Sequence, residues 1–259
     1  MTSSPPSFSI ITCTWNSARY LPQSIASVLS QTCQPSEYIF VDGGSTDGTL
    51  ELIGAIPRNV ILLSGVQGGV SRAMNAGLRV AGGDVVALLH SDDYYLHPGV
   101  LQEVAETFTQ RSAEWVFGTI ENVIDGQCEP LSYRMPRYSY RTLLRGNFIP
   151  HPATFVKRRL IETAGYFDEE YRFAMDYALW LELGKLAEPV QIDRPLTAFR
   201  RHPESLSTKN RLLGLEEDFK VRMRYAGDSP LEHLMHYARY LVRRQRLVWA
   251  LRRTSESSA

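Results

Sequence analysis

The sequence predicts an α/β fold: a mostly parallel sheet flanked by helices, turning mixed in its second half and followed by a C-terminal helical extension. Three observations predict it. Short apolar runs alternate with helical periodicity from Phe8 to Leu89, which is the pattern of consecutive β-α units. Each run is apolar and most are bounded by Gly, Asp, Asn or Pro, as expected of strands covered on both faces. From about Ser207 the composition becomes helical, Arg-rich and polar.

Taken in order, the first strand spans residues 8–12. A helix follows in which Leu21, Ile25, Val28 and Leu29 share one face, with Pro22 near its start, where a missing N–H is harmless. Strands are expected at residues 37–41, 59–63 and 84–89, separated by a helix after Thr49 and another over residues 70–80. A helix over residues 99–110 then leads to an apolar stretch, residues 115–123, read as a strand entering a mixed or antiparallel region. A helix around residues 175–183 precedes a strand at 190–192, and residues 254–259 are expected to fray. This divides the chain into a domain over residues 1–206 and a basic amphipathic helical extension over 207–259.

The chain has 259 residues, enough for one substantial core. Lys plus Arg and Asp plus Glu both number 28, so net charge gives nucleic-acid binding no support. Cys13, Cys33 and Cys128 form no C-x-x-C pair. Neither a disulfide framework nor a zinc site is therefore expected, and a reducing cytoplasm fits. Residues 1–7 lack the features of a secretory signal and no run reaches the roughly 18 apolar residues of a membrane span.

In an open α/β sheet, ligands bind at the carboxyl ends of the strands. Four polar tips stand there: Thr14-Trp15-Asn16, Asp42-Gly43-Gly44-Ser45, Gln67-Gly68-Gly69 and Ser91-Asp92-Asp93. Together they are expected to line one crevice. Asp47 and Thr49 read as a turn and helix cap. Asp42 ends a buried strand and is expected to face the crevice, where a carboxylate accepts the N3–H of a uracil or thymine base. Asp92 and Asp93 place two adjacent carboxylates at one tip, a crowding that a divalent cation on a diphosphate would relieve. A solvated helix start before Pro98 is the competing reading. Trp15, Trp115 and Trp180 are read as core.

These residues resemble the family 2 glycosyltransferases of the GT-A fold, in particular those of bacterial polysaccharide assembly. The resemblance is carried by Ser9-Ile10-Ile11-Thr12-Cys13-Thr14-Trp15-Asn16, by Tyr38-Ile39-Phe40-Val41-Asp42-Gly43-Gly44-Ser45-Thr46-Asp47-Gly48-Thr49, by Gly69-Val70-Ser71-Arg72-Ala73-Met74-Asn75-Ala76-Gly77, and by Leu89-His90-Ser91-Asp92-Asp93. It implies transfer of a sugar from a nucleotide-sugar donor, uridine-linked, to the hydroxyl of a glycan or lipid-linked acceptor. Thr14, Asn16 and Asp42 would hold the nucleotide, Asp92 would meet the ribose, and Asp93 would ligate Mn²⁺ or Mg²⁺. Asp176, in Phe173-Ala174-Met175-Asp176-Tyr177, matches the family's catalytic base, its usual acidic neighbour replaced by Met175. Arg200, Arg201 and His202 resemble the basic segment near the diphosphate, with His202 completing the metal site and Arg200 clamping phosphate; a surface basic cluster is the alternative. Asn75 is expected to cap its helix or touch the nucleotide.

Arg72 departs from the acidic residue of many relatives and would meet the diphosphate, meet a base carbonyl or stand in solvent. His151 reads as either a satisfied loop histidine or an acceptor-site residue. A single base carboxylate implies inversion at the anomeric carbon, by analogy with glycoside hydrolysis. Residues 231–253 hold six arginines against Glu232 alone. This basic amphipathic helix would rest on an anionic bilayer at the inner face of the cell membrane or pack on the main domain. Thr14-Trp15-Asn16-Ser17-Ala18-Arg19 contains no glycine, which argues against a dinucleotide enzyme, a P-loop phosphotransferase and a sugar-1-phosphate nucleotidyltransferase. A non-enzymatic nucleotide-sugar sensor is the other class to be distinguished.

Overall fold

The structure, a computed structural model, describes residues 4–124, 126–202, 205 and 210–256. Four strands, β1 (Phe8–Thr14), β2 (Glu37–Asp42), β3 (Ile61–Ser64) and β4 (Val85–Leu88), pair in parallel in the order β3-β2-β1-β4. Helices α1 (Leu21–Leu29), α2 (Thr49–Gly54) and α3 (Val70–Val80) make the crossovers.

Alternate residues of each strand face opposite layers. Ile10, Tyr38, Phe40, Val85 and Ala87 join Leu21, Ile25 and Val28 of α1 in one core cluster, while Ile11, Ile39, Val41, Val86 and Leu88 join Met74 and Leu78 of α3 in the other. Burial on both faces is why the strands read as unbroken apolar runs. A Cβ on Gly77 of α3 would stand 2.6 Å from Ile11 Cγ2, so glycine lets this helix lie close on β1.

Past β4 the chain forms β5 (Tyr94–Tyr95), α4 (Val100–Arg111), β6 (Trp115–Ile124), β7 (Gln127–Pro130), α5 (Tyr140–Leu143), β8 (Thr154–Lys157), α6 (Arg158–Ala164), α7 (Met175–Leu186) and β9 (Val190–Arg200). Strand β8 lies antiparallel between β4 and β6; β9 runs parallel to β6, and β5 pairs antiparallel with β9. The sheet is therefore mixed in its second half, as expected. Strands β5, β7 and β8 and helices α5 and α6 are too short to carry a readable period. Strand β9 continues well past the expected residue 192, because its register against β6 shifts opposite Thr119, the extra residues lying in β9, and this irregularity accommodates Pro195, which otherwise reads as a strand breaker.

Helix α7 is apolar on nearly every side, and its Trp180 stacks on Trp115 with ring centroids 6.0 Å apart, both deep in the core. Trp15 is the exception to the core reading of the tryptophans, being 72% exposed. Helices α8 (Arg211–Tyr225) and α9 (Pro230–Glu256) complete the chain. Val221 of α8 enters the same core as α7, and α9 packs on α8 through Tyr237 and Tyr240 against Phe219. Residues 254–256 continue α9 rather than fray, and residues 257–259 lie outside the described residues. Among the described residues, no helix is long and apolar enough to cross a membrane.

Candidate active site

Because β1 and β4 are neighbours whose crossovers leave in different directions, their carboxyl ends flank the crevice where this architecture binds ligands. A cavity of about 1130 Å³ opens there. All four expected tips contribute to it, through Thr14 and Trp15, Gly43, Gln67 to Gly69, and Ser91 and Asp92. Asp176 of α7, Asp218 of α8 and Leu247 of α9 also line it, so the C-terminal helices form part of the wall.

The β1 and β2 tips are joined by Asp42, which is fully buried. Its Oδ2 accepts hydrogen bonds from Thr14 Oγ1 (2.8 Å) and Ser45 Oγ (2.6 Å), and Oδ1 accepts the Gly44 and Ser45 N–H groups at 2.8 Å. Burial pushes its carboxyl up, but these bonds outweigh it and hold Asp42 below the usual carboxylate range. The expected crevice-facing carboxylate is thus turned inward by its own loop, where four donors occupy its acceptor positions. Asn16 is exposed, in the left-handed region (φ 49°), with its Oδ1 accepting Thr46 N–H. It ties the two tips together. Asp47 accepts from Thr49 and from Ala18 N–H, the local turn expected.

At the β4 tip the two aspartates separate. Asp93 N–H donates to His90 C=O, closing a tight turn, and β5 begins at once. This turn sends Asp93 into the protein, 1% exposed, with Oδ1 accepting Arg200 N–H at 3.0 Å and Oδ2 without a hydrogen-bond partner among the described residues. Burial first, and the Asp92 charge second, push its carboxyl well up. Asp92 instead lines the cavity, its Oδ2 3.0 Å from His202 Nε2. The expected pairing of Asp93 with His202 is therefore replaced by Asp92 with His202. The reversal follows from the β4–β5 turn, which no local pattern in Ser91-Asp92-Asp93 discloses. Arg200 lines the cavity, with Nε donating to Asp92 C=O, an η-nitrogen donating to Gln23, and its guanidinium over Tyr20 (4.5 Å) and Tyr94 (5.7 Å).

Among the described residues, no three His, Cys, Asp or Glu side chains converge as a closed cage. The one acidic side chain of this tip that faces the cavity, Asp92, nevertheless fits Mg²⁺ or Mn²⁺, which take one or two carboxylates and complete their shell with phosphate and water.

Asp176 stands in the first turn of α7 and lines the cavity. Its Oδ2 accepts from Asn147 (3.1 Å) and its Oδ1 from Tyr177 N–H (2.7 Å), and burial outweighs both, pushing the carboxyl up to about 6. Glu217 of α8 holds this turn in place: its carboxylate accepts the N–H groups of Arg172, Phe173 and Ala174 ahead of the helix. His151 lines the cavity, stacked on His90 with centroids 4.8 Å apart and with Nε2 unpartnered. Burial and the neighbouring His90 keep it neutral, its pKa well below the usual range.

Beside Asn16, Asp42, Asp93 and His202, two further expected residues stand apart from the cavity lining. Asn75 is buried, donating to Phe167 C=O and Glu169 and accepting Phe167 N–H at 2.9 Å, so its amide fastens α3 to the segment before α7. Arg72 is exposed and lies along Gly68, itself a lining residue with φ +108°. Arg201 N–H donates to Val123 C=O, continuing the β9 ladder. Asp218, Glu217, Asn147 and His90 escaped the sequence reading; Glu217-Asp218, adjacent acids in an Arg-rich helix, were the one available signal.

The sheet order, the crevice at its switch point and the acidic groups inside it define a GT-A type glycosyltransferase. The model of the Glycosyl transferase family 2 matches residues 9–161, more than half of the chain, and the protein belongs to that family. A chondroitin synthase of Pasteurella multocida (strain Pm70) is 30% identical over 210 residues, which is 79% of this chain and 22% of that enzyme. The chain thus spans about a fifth of that relative's length. Among solved structures, TarS 1-349 of S. aureus in complex with UDP-GlcNAc superposes with a TM-score of 0.71 at 20% identity, over 89% of this chain and 69% of TarS 1-349. The mannosyltransferase PcManGT of Pyrobaculum calidifontis, in complex with GDP-Man and Mn²⁺, gives 0.69 at 18% identity, over 92% and 70%.

Proposed function

We propose that this glycosyltransferase moves a sugar from a uridine-linked nucleotide donor to an acceptor hydroxyl by a single inverting displacement, in the assembly of a cell-surface polysaccharide or glycolipid. The observation that carries the reading is Asp176. It is a carboxylate of raised pKa, held by Asn147 and by the Glu217-anchored turn, in the same cavity as the strand tips. A base of this strength is mostly ionised at neutral pH and strong enough to take the proton of an attacking sugar hydroxyl.

Trp15 and Gly43 offer an open aromatic and backbone surface for the base, with Thr14 oriented by Asp42. Arg200, held over two tyrosines, faces the cavity where the diphosphate would lie. Asp92, with His202 beside it, would hold a divalent cation, Mn²⁺ or Mg²⁺, on the diphosphate. Such a cation, when bound, supplies positive charge to the departing diphosphate. The UDP-GlcNAc complex of TarS and the GDP-Man and Mn²⁺ complex of the mannosyltransferase support a nucleotide sugar and a metal.

A lipid-linked acceptor at the inner membrane face is supported by α9. Beyond its packing on α8, it leaves Leu231, Leu234, Leu241 and Val242 exposed beside its arginines. Co-sedimentation with anionic vesicles tests that part.

The test of the whole is a thermal-shift panel of nucleoside diphosphates and their sugars with and without Mn²⁺, followed by nucleoside diphosphate release. Stabilisation by a uridine compound that requires Mn²⁺ is expected. Equal stabilisation without metal, or by no nucleotide, overturns the reading. Full biological activity of Asp176→Asn would favour a nucleotide-sugar sensor instead.

A further inference from the structure

We infer that Asp218 of α8 is an acceptor-binding carboxylate: it takes the hydroxyl hydrogens of an acceptor sugar beside the hydroxyl that Asp176 deprotonates. The inference rests on the transferase reading and adds the residue and the wall that choose the acceptor.

Asp218 lines the cavity together with Asp176, and this half-buried carboxylate is bonded to none of the described side chains around it. A half-buried carboxylate that faces a cavity with its acceptor positions open is placed to take donors from whatever occupies that cavity. The available cations do not fill those positions. Arg222 and Arg243 lie close enough to stabilise its charge, but Arg222 donates to Arg145 C=O, and its Nε and second η-nitrogen are buried without partners. Arg243 lies along Gly146. Polyhydroxyl ligands bring the missing donors, since a sugar presents several O–H groups at carboxylate spacing.

Position supports the same assignment. Glu217, the preceding residue, is pinned to the N–H groups just before α7, so α8 is registered against the helix that carries Asp176. The two carboxylates feel each other, the Asp176 charge being a cause of the raised Asp218 pKa. One turn before Asp218, Gly214 also lines the cavity, and among the described residues a Cβ there would meet only Phe173 Cβ at 3.7 Å. Among the described residues the helix is thus bare beside Asp218, which leaves room there for a ring. Leu215 and Leu247 add apolar surface of the kind that packs on the C–H face of a sugar.

The experiment uses the whole chain, the donor found in the nucleotide panel, Mn²⁺, and neutral phenyl glycosides of glucose, galactose, mannose and N-acetylglucosamine as acceptors. At least one glycoside is expected to stimulate nucleoside diphosphate release. Asp218→Asn should raise that acceptor's KM about 10- to 100-fold, the loss of hydrogen bonds to a charged group, with the donor KM changed less than twofold. Asp218→Glu should recover part of it. Gly214→Leu, which fills the space one turn away and keeps the Asp218 carboxylate, should raise the acceptor KM as well. An acceptor KM within twofold of wild type in both Asp218→Asn and Gly214→Leu, a parallel rise in donor KM, or no stimulation by any glycoside overturns the inference. A wild-type chain that neither binds nor turns over any donor fails earlier, at the transferase reading itself.

Discussion

Replacing Asp176 by Asn should make the protein more stable and nearly inactive, with a pH dependence that identifies the cause. The ordinary carboxyl value is 3.8 and burial raises Asp176 to about 6. Below pH 3.8 the group is protonated whether the chain is folded or not, and it costs nothing. As pH rises toward 6 the unfolded chain ionises first, so the folded state loses ground, and above 6 the full cost is present. At about 1.4 kcal/mol per pH unit, the gap amounts to about 3 kcal/mol.

Asparagine keeps the size and an oxygen for Asn147 to donate to, but never ionises. Asp176→Asn should therefore exceed wild type by up to about 3 kcal/mol at pH 8, about 6–12 °C in Tm for a chain of this size, and by almost nothing at pH 4. Nucleoside diphosphate release should fall about 10²–10⁴-fold while donor-induced stabilisation persists. In the wild type, kcat/KM should decline below pH 6, as a property shared with the neighbouring Asp218. Urea titrations at pH 4 and pH 8, with turnover measured alongside, decide it. A stability gain that does not change with pH, or none at pH 8, would refute the desolvation argument; undiminished turnover would refute the base.

Other expectations follow from the geometry. Gly77→Val should lose at least about 1–3 kcal/mol in urea denaturation, because the new Cβ falls 2.6 Å from Ile11 Cγ2 and 3.1 Å from Val41 Cγ2. Glu217→Ala removes the acceptor of three N–H groups and should cost about 1–2 kcal/mol; turnover should fall more than donor affinity, since Asp176 rides on that turn. Trp15→Ala should leave stability within about 0.5 kcal/mol, the indole being 72% exposed. It should nevertheless weaken uridine diphosphate in a thermal-shift titration if the ring stacks on the base.

Much of this architecture was readable before any coordinates. Unbroken apolar runs, each followed by a polar tip, predict a two-face-covered parallel sheet with a crevice at its carboxyl edge, and Thr14, Asp92 and Asp176 do meet in one cavity. That much depends on near-neighbour chemistry along the chain: period, turn formers and residue type. Which way a tip residue points is settled by partners far away. Asp42 turns inward because its own loop surrounds it with donors; Asp93 turns inward because β5 must pair with β9, a contact made more than a hundred residues later. Asn75 fastens a segment more than ninety residues distant, and α8 brings Asp218 beside Asp176 only because Glu217 finds three bare N–H groups. Side-chain type was a local matter, whereas orientation and charge state followed from long-range packing, where burial and remote hydrogen bonds set the energies.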